Sequence, residues 1–274
     1  MVNISDEIYA RRLAVLQDLF ANKISAPTAA DQLASASLSD NTSLQEQLSR
    51  LWSLILALAC ESPEHQDKLV DVVVDLSELP SPDPAAHGQQ GAEALTINDM
   101  QVWKDLPVLG WCLRDGWNVS VRPNNSPEDR QKAVSQIINM SKFTALLMAT
   151  DEPVFASYSW FALITLRSAL ETPKEQMREP LEAWIPAAAA WIETLGVEIY
   201  NWEEEYESGP KIGARGKGGP LWDGKHGFCK GRWKLWRERF GEVARMDGEL
   251  AEGVRKTAQD GETMMKEIEA GDVE

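Results

Sequence analysis

Cysteine, histidine and long apolar runs are scarce in this chain, and each scarcity narrows what it can be. Only three cysteines occur, Cys60, Cys112 and Cys229; far apart and odd in number, they fit a reducing compartment better than a disulfide framework. The three histidines, His65, His87 and His226, stand at no metal-type spacing from a cysteine, and none has a spaced serine or cysteine that would suggest a nucleophile triad. The most apolar stretch, Leu51 to Cys60, is about ten residues, where roughly 20 are needed to cross a bilayer. Residues Met1 to Arg12 mix acids and bases without an apolar run, so they do not read as a secretory signal, and the expected location is cytoplasmic. Sustained period-2 alternation is absent, as are a solenoid-length repeat and the Gly-x4-Gly-Lys-Ser/Thr phosphate loop.

Positive charge is the other shortage, and where it gathers is informative. The chain carries 27 lysines and arginines against 43 acids, for a formal charge of -16. Nine of the 27 fall in the 29 residues from Lys211 to Arg239, against only Asp223 and Glu238, so this stretch is +7 and the remainder -23. Such segregation makes a local field able to hold an anion. The acidic remainder argues against nucleic acid as a partner, because phosphate contacts require cationic surface.

A chain of 274 residues can bury a substantial core. Its periodicity predicts an all-α architecture, a single helical-bundle domain of about nine to eleven helices that could divide into two packed lobes. Helices are expected over Asp6 to Phe20 with Asn3 or Ser5 as cap, shortly after Pro27, and from Thr42 or Ser43 to Ala59, where the apolar stripe widens nearly all round. Ser62-Pro63-Glu64 and Ser126-Pro127-Glu128-Asp129 both read as a serine cap with proline at the first helical position. The first leads to Leu76 and the second to Met148. Further helices are expected over Val102 to Asn118, Glu152 to Leu170, Lys174 to Leu195 with interruptions near Pro180 and Pro186, Phe228 to Ala244, and Gly248 to Ala270. Gly196 reads as a break. The proline- and glycine-rich residues 80–95 are the boundary candidate, giving an N-terminal lobe over 1–79 and a C-terminal lobe over 96–274 with the basic aromatic segment at 209–240.

Within that segment, glycines at 209, 213, 216, 218 and 219 describe a loop of unusual freedom feeding a helix start, where backbone N–H groups and basic side chains can converge on phosphate. Lys225 is flanked by Trp222, His226, Phe228 and Trp233, aromatic surface able to dry its surroundings. Arg232 is a second candidate anion ligand, on a helix whose Trp233, Trp236 and Phe240 also read as ordinary core. Asp115 and Asn118, at i and i+3, offer oxygen ligands of the kind magnesium takes, or a simple helix-end pair. Glu203, Glu204, Glu205 and Glu207 stand just ahead of the basic loop, where they would balance its charge.

Leu221 to Cys229, followed by Arg232, Trp233 and Trp236, resembles a fungal family of helical proteins from secondary-metabolite gene clusters, the oxopyrrolidine-cluster protein G type. Val102 to Pro107, Tyr158 to Leu163 with Leu170-Glu171, and Ser62 to Leu76 resemble it too, so the likeness covers most of the chain. Within that group the Leu-Trp-x-Gly-Lys piece is similar to atypical humulene-synthase-like terpene cyclases. The resemblance implies a magnesium-dependent lyase acting on a prenyl diphosphate such as farnesyl diphosphate. Carried over by motif, Lys225 would bind the diphosphate and Leu221 would line the hydrocarbon pocket; Arg232 as second anion ligand and Trp222, Phe228 and Trp233 as aromatic pocket walls are read from residue type. The ligands for Mg2+ do not follow from the likeness; Asp115 and Asn118 are read from side-chain type alone. The Asp-rich motif of ordinary class I cyclases is absent. The other reading is a non-catalytic helical interaction or scaffold protein of the same family. No membrane span is expected as a partner surface, and a homodimer is left open.

Overall fold

The computed structural model describes residues 4–38, 43–122, 124–177, 180–209, 213–214, 216–246, 248 and 250–271. The caps considered at Asn3 and Thr42, and the cations Lys211 and Arg215, lie outside them. Ten α-helices run through the described residues, within the expected number, and the strands are two antiparallel pairs of two residues each. By packing, the chain divides into two compact units, Met1–Asn118 with Thr150–Ala156, and Val119–Ala149 with Ser157–Glu274.

In the first unit, α1 (Ile4–Phe20), α2 (Ala26–Leu38), α3 (Leu44–Glu61) and α4 (Gln66–Glu78) pack on one another. The wide apolar stripe of α3 buries Leu48, Leu51, Trp52, Ile55 and Ala59 completely. Each buried leucine or isoleucine of this stripe contributes about 1.5–3 kcal/mol, which adds to the high helix propensity of the stretch. A buried guanidinium ties three helices together: Arg12 on α1 donates through Nη2 to Ser37 Oγ and Gln47 Oε1, both at 2.9 Å. From α4, Lys68 donates to the terminal carbonyls of α1 at Leu19 (3.3 Å) and Phe20 (2.9 Å), which supplies partners for carbonyls the helix itself leaves open.

The helix expected over Val102 to Asn118 is shorter than its periodicity suggests. β1 (Thr96–Ile97) and β2 (Met100–Gln101) form a hairpin, turns follow, and α5 begins only at Leu109 and ends at Gly116. Trp103, Leu106 and Val108 adopt left-handed φ of 72°, 43° and 73°, a conformation that costs non-glycine residues energy and cannot continue a helix. Burial offsets the cost: Val102, Trp103 and Leu106 are inside, and the Pro107 carbonyl accepts from Trp52 Nε1 at 2.9 Å.

Residues 80–95 lie within this first unit. Their polar groups are tied down, with Gln89 bonding the Thr96 backbone through both amide atoms and Ser81 Oγ accepting from the Leu95 N–H.

The second unit is arranged around α8 (Leu181–Asn201), against which α6 (Pro127–Met148), α7 (Ser159–Leu170), α9 (Lys230–Ala244) and α10 (Glu252–Ala270) all pack. Small residues explain the close approach: Ala187 to Ala190 are buried in succession. Pro186 is accommodated inside α8. The bend falls at Leu195 (φ -134°, ψ 25°), next to the Gly196 read as a break, and the helix resumes to Asn201. A Cβ on Gly196 would stand 2.6 Å from Ile268 Cδ1, so this glycine permits the crossing with α10. Among the described residues, no helix is long and apolar enough to cross a membrane.

Candidate functional site

The cationic, tryptophan-bearing segment is built on Glu171, the residue that follows α7. Its side chain is fully buried and accepts from four directions. Arg232 on α9 donates Nε to Oε1 at 2.5 Å and Nη2 to Oε2 at 2.9 Å, Trp236 Nε1 reaches Oε1 at 2.7 Å, and the Gly219 N–H reaches Oε2 at 2.7 Å. The remaining terminal nitrogen of Arg232, Nη1, donates to the carbonyls of Gly216 (2.9 Å) and Gly227 (2.7 Å). Arg232 is likewise fully buried. Charge-assisted, two-pronged bonds of this kind are the strong ones, and a desolvated guanidinium requires them.

Three of the glycines that suggested freedom, Gly216, Gly218 and Gly219, turn out to be sites of close packing. The indole of Trp222 lies among Gly218, Gly224 and Gly231: a Cβ on Gly224 would stand 2.5 Å from its Cζ2, one on Gly231 3.3 Å from its Cη2, and one on Gly218 would overlap the Trp222 side chain and carbonyl. Trp222 Nε1 then donates to the Lys225 carbonyl at 2.9 Å, closing the turn. Gly227 has φ 138°, which glycine alone adopts readily, and a Cβ there would strike the Glu204 carbonyl. The segment is laced to residues 203–206 by backbone bonds, Phe228 N–H to Glu204 O at 2.9 Å and Tyr206 N–H to His226 O at 2.8 Å.

The residues singled out in the sequence occupy different settings. Lys225 donates Nζ to the Glu203 carbonyl at 2.8 Å and lies 3.8 Å from Glu205 Oε2, its side chain 33% exposed. Lys225 and Arg232 are therefore engaged by different partners. Phe228 and Trp233 are buried; Phe228 meets Trp202 and Trp236 edge to face at 5.0 and 6.1 Å, and Trp233 lies against Tyr200 and donates Nε1 to Glu269 at 3.0 Å. Leu221 is exposed and Trp222 half-buried. Asp115 and Asn118 belong to the first unit. The Asp115 carboxylate is exposed and faces Arg114 at 3.6 Å, and the Asn118 N–H donates to the Asp115 carbonyl. Among the described residues no group of three or more His, Cys, Asp or Glu could hold a metal ion.

Glu171 was missed as an organising residue. The available signal was a carboxylate directly after the apolar run of α7, ahead of a segment rich in arginine. A neighbouring cluster, Ser159 Oγ, Glu204 Oε2 and Tyr206 Oη, is linked at 3.0–3.2 Å. Burial pushes the Tyr206 hydroxyl up to about 12; the Ser159 bond pulls it back and the Glu204 carboxylate adds to the rise.

A family model described as a protein of unknown function (DUF3632) matches residues 52–240, from Trp52 on α3 to Phe240 on α9. No curated protein matches the chain.

Proposed function

The chain belongs to the DUF3632 family, whose description carries no activity, and we propose that it is a non-catalytic helical interaction protein in which the basic aromatic segment is a structural clamp. The observation that carries this reading is Arg232. Its Nε and both terminal nitrogens are bonded to Glu171 and to two loop carbonyls, so the charge expected to greet an anion is spent on holding the turn from Gly216 to Gly227. What this clamp displays is a fixed edge: Glu203, Glu204, Glu205 and Glu207 are exposed beside the turn that carries exposed Leu221. A rigid acidic edge with one apolar knob suits recognition of a basic partner surface, since little ordering entropy is lost when preorganised groups bind.

The second reading is a magnesium-dependent cyclase acting on an isoprenoid diphosphate. It is supported by the likeness of Leu221 to Cys229 and by the partly exposed Lys225 ammonium beside Glu205. In that reading Lys225 and Arg232 hold the diphosphate, and Leu221, Trp222, Phe228 and Trp233 face the hydrocarbon. Arg232 would first have to leave Glu171, at the cost of uncovering a buried carboxylate.

One experiment separates the two. Purified protein is incubated with farnesyl diphosphate and magnesium, products are analysed beside a Lys225→Ala control, and amide exchange is followed over residues 216–229. The interaction reading expects no product, and slow exchange at Gly219, Leu221, Trp222 and Phe228 that the diphosphate leaves unchanged. Product formation that disappears in Lys225→Ala replaces it with the cyclase.

A further inference from the structure

We propose that the open groove between α2 and residues 79–82 in the N-terminal unit docks a basic amphipathic peptide segment of a partner protein, its aliphatic side chains in the groove and its lysines or arginines over the carboxylates beside it. The site lies in the other compact unit from the basic aromatic segment and shares no residue with it, so either reading can fail without the other.

The groove has a volume of about 490 Å3 and opens to solvent. Leu38, Leu79, Pro80, Pro82 and Trp103 give it apolar walls, and Asp31 is the one charged residue in its lining. Trp103 is 1% exposed and is held at its left-handed φ of 72°. Its indole N–H has no acceptor among the described residues, so the groove offers an unused donor to an incoming carbonyl. Pro80 and Pro82 carry no N–H, and a strand cannot pair along that wall. Recognition therefore rests on side chains.

Asp31 joins the groove to a group of carboxylates. Asp71, Asp75 and Glu78 stand four and three residues apart on one face of α4, and Glu78 directly precedes Leu79 in the groove wall. The Asp75 carboxyl is raised above its ordinary value, first by burial and then by Glu78, Asp71 and Asp31, so it feels all three neighbours. None of the four has an ion-pair partner among the described residues. Ser39, Asp40, Asn41 and Thr42, which follow Leu38 and lie outside the described residues, bring no cation to the place. Since no group of described carboxylates could hold a metal ion, neutralising charge has to arrive on an organic partner. Asp71 to Glu78 covers about 10 Å of helix beyond the groove, so a partner that meets both features is longer than a single small amine. Charge complementarity of this kind orients the partner and speeds its encounter.

The test is a fluorescence-anisotropy titration of the full chain with a labelled leucine–lysine amphipathic peptide, beside serine–lysine and leucine–glutamate peptides of the same length. The leucine–lysine peptide binds saturably, and both controls bind at least about tenfold more weakly, because each lacks one recognised feature. Ser35 lines the groove and is exposed on α2, so Ser35→Trp fills the groove without entering the core and lowers affinity by at least about tenfold. Asp31→Lys with Asp71→Lys does the same. Glu205→Lys with Glu207→Lys, an equal change of net charge, lowers it by less than about threefold; circular dichroism confirms each fold. Absence of saturable binding, either control peptide or octylamine binding as tightly as the leucine–lysine peptide, or an unchanged affinity in Ser35→Trp overturns the proposal. An equal or larger loss in the Glu205 and Glu207 pair overturns it too and assigns the peptide to the acidic edge of the other unit. Self-association of the free chain that Ser35→Trp abolishes puts a second copy in the groove instead.

Discussion

Glu171 and Arg232 meet side chain to side chain, fully buried, with two charge-assisted bonds of 2.5 and 2.9 Å across 61 positions of sequence. Removing one partner strands the other charge away from water, which costs about 3–5 kcal/mol. Arg232→Met and Glu171→Gln should each lower stability by that amount in urea unfolding. The double variant should lose less than the sum of the two, because no lone charge is then left behind.

The indole of Trp222 and its glycines form a second contact, which adjoins the first through the Arg232 guanidinium 6.0 Å from the ring. Gly224→Ala places a methyl against Trp222 and should cost about 1–3 kcal/mol as overpacking, with faster amide exchange from Gly218 to Phe228. In a Trp222→Ala background the same substitution should fall within about 0.5 kcal/mol of neutral. An equal cost in both backgrounds means the glycine is needed for something other than room.

Two serine–proline signals of similar appearance have different fates, and mutation should tell them apart. Ser126 caps α6, its Oγ accepting from the Asp129 N–H at 3.1 Å and donating to Asp129 Oδ2 at 2.9 Å. Ser62 makes no side-chain cap bond; Pro63–His65 is a 3-10 turn, and α4 starts at Gln66. Ser126→Ala should therefore cost about 1 kcal/mol, and Ser62→Ala only a few tenths, measured as urea midpoints.

Cys60 should be silent toward thiol reagents. Burial, with a smaller push from Glu61, moves its thiol from 9.0 up to about 12, so at about pH 8 almost no thiolate is present to react. Tyr206 moves the same way, from 10.0 to about 12. In both cases the folded state favours the neutral form, whereas the unfolded chain ionises at the ordinary value. The stability these groups contribute is whole below about pH 9 and is lost as pH rises toward about 12. Urea midpoints should be level up to about pH 9 and then decline, with a shallower decline in Cys60→Ala. Rapid labelling of Cys60 in folded protein, or a level midpoint to pH 11, contradicts this.

Much of the scaffold was legible in local pattern. The apolar stripes of α3 and α4 and the Ser126-Pro127 start of α6 placed helices within a few residues of where they lie, because a 3.6-residue period and a first-turn hydrogen bond are properties of neighbouring positions. The stretch 102–108 resisted the same method. Its apolar residues repeat as a helix would, yet Trp103, Leu106 and Val108 take left-handed φ, because burial and the Trp52 bond to Pro107 outweigh backbone preference.

Charge segregation was determined by the sequence alone: the concentration of nine cations in one stretch is a matter of counting, and so is the shortness of its longest apolar run. Where that charge goes was decided only by tertiary structure. Arg232 turns inward because Glu171, far off in the chain, is brought beneath it by the packing of α7 against α9. A glycine, in turn, looks the same in sequence whether it loosens a loop or makes room for an indole. Pairing across long sequence separations has no period, so it becomes visible only once the helices are assembled.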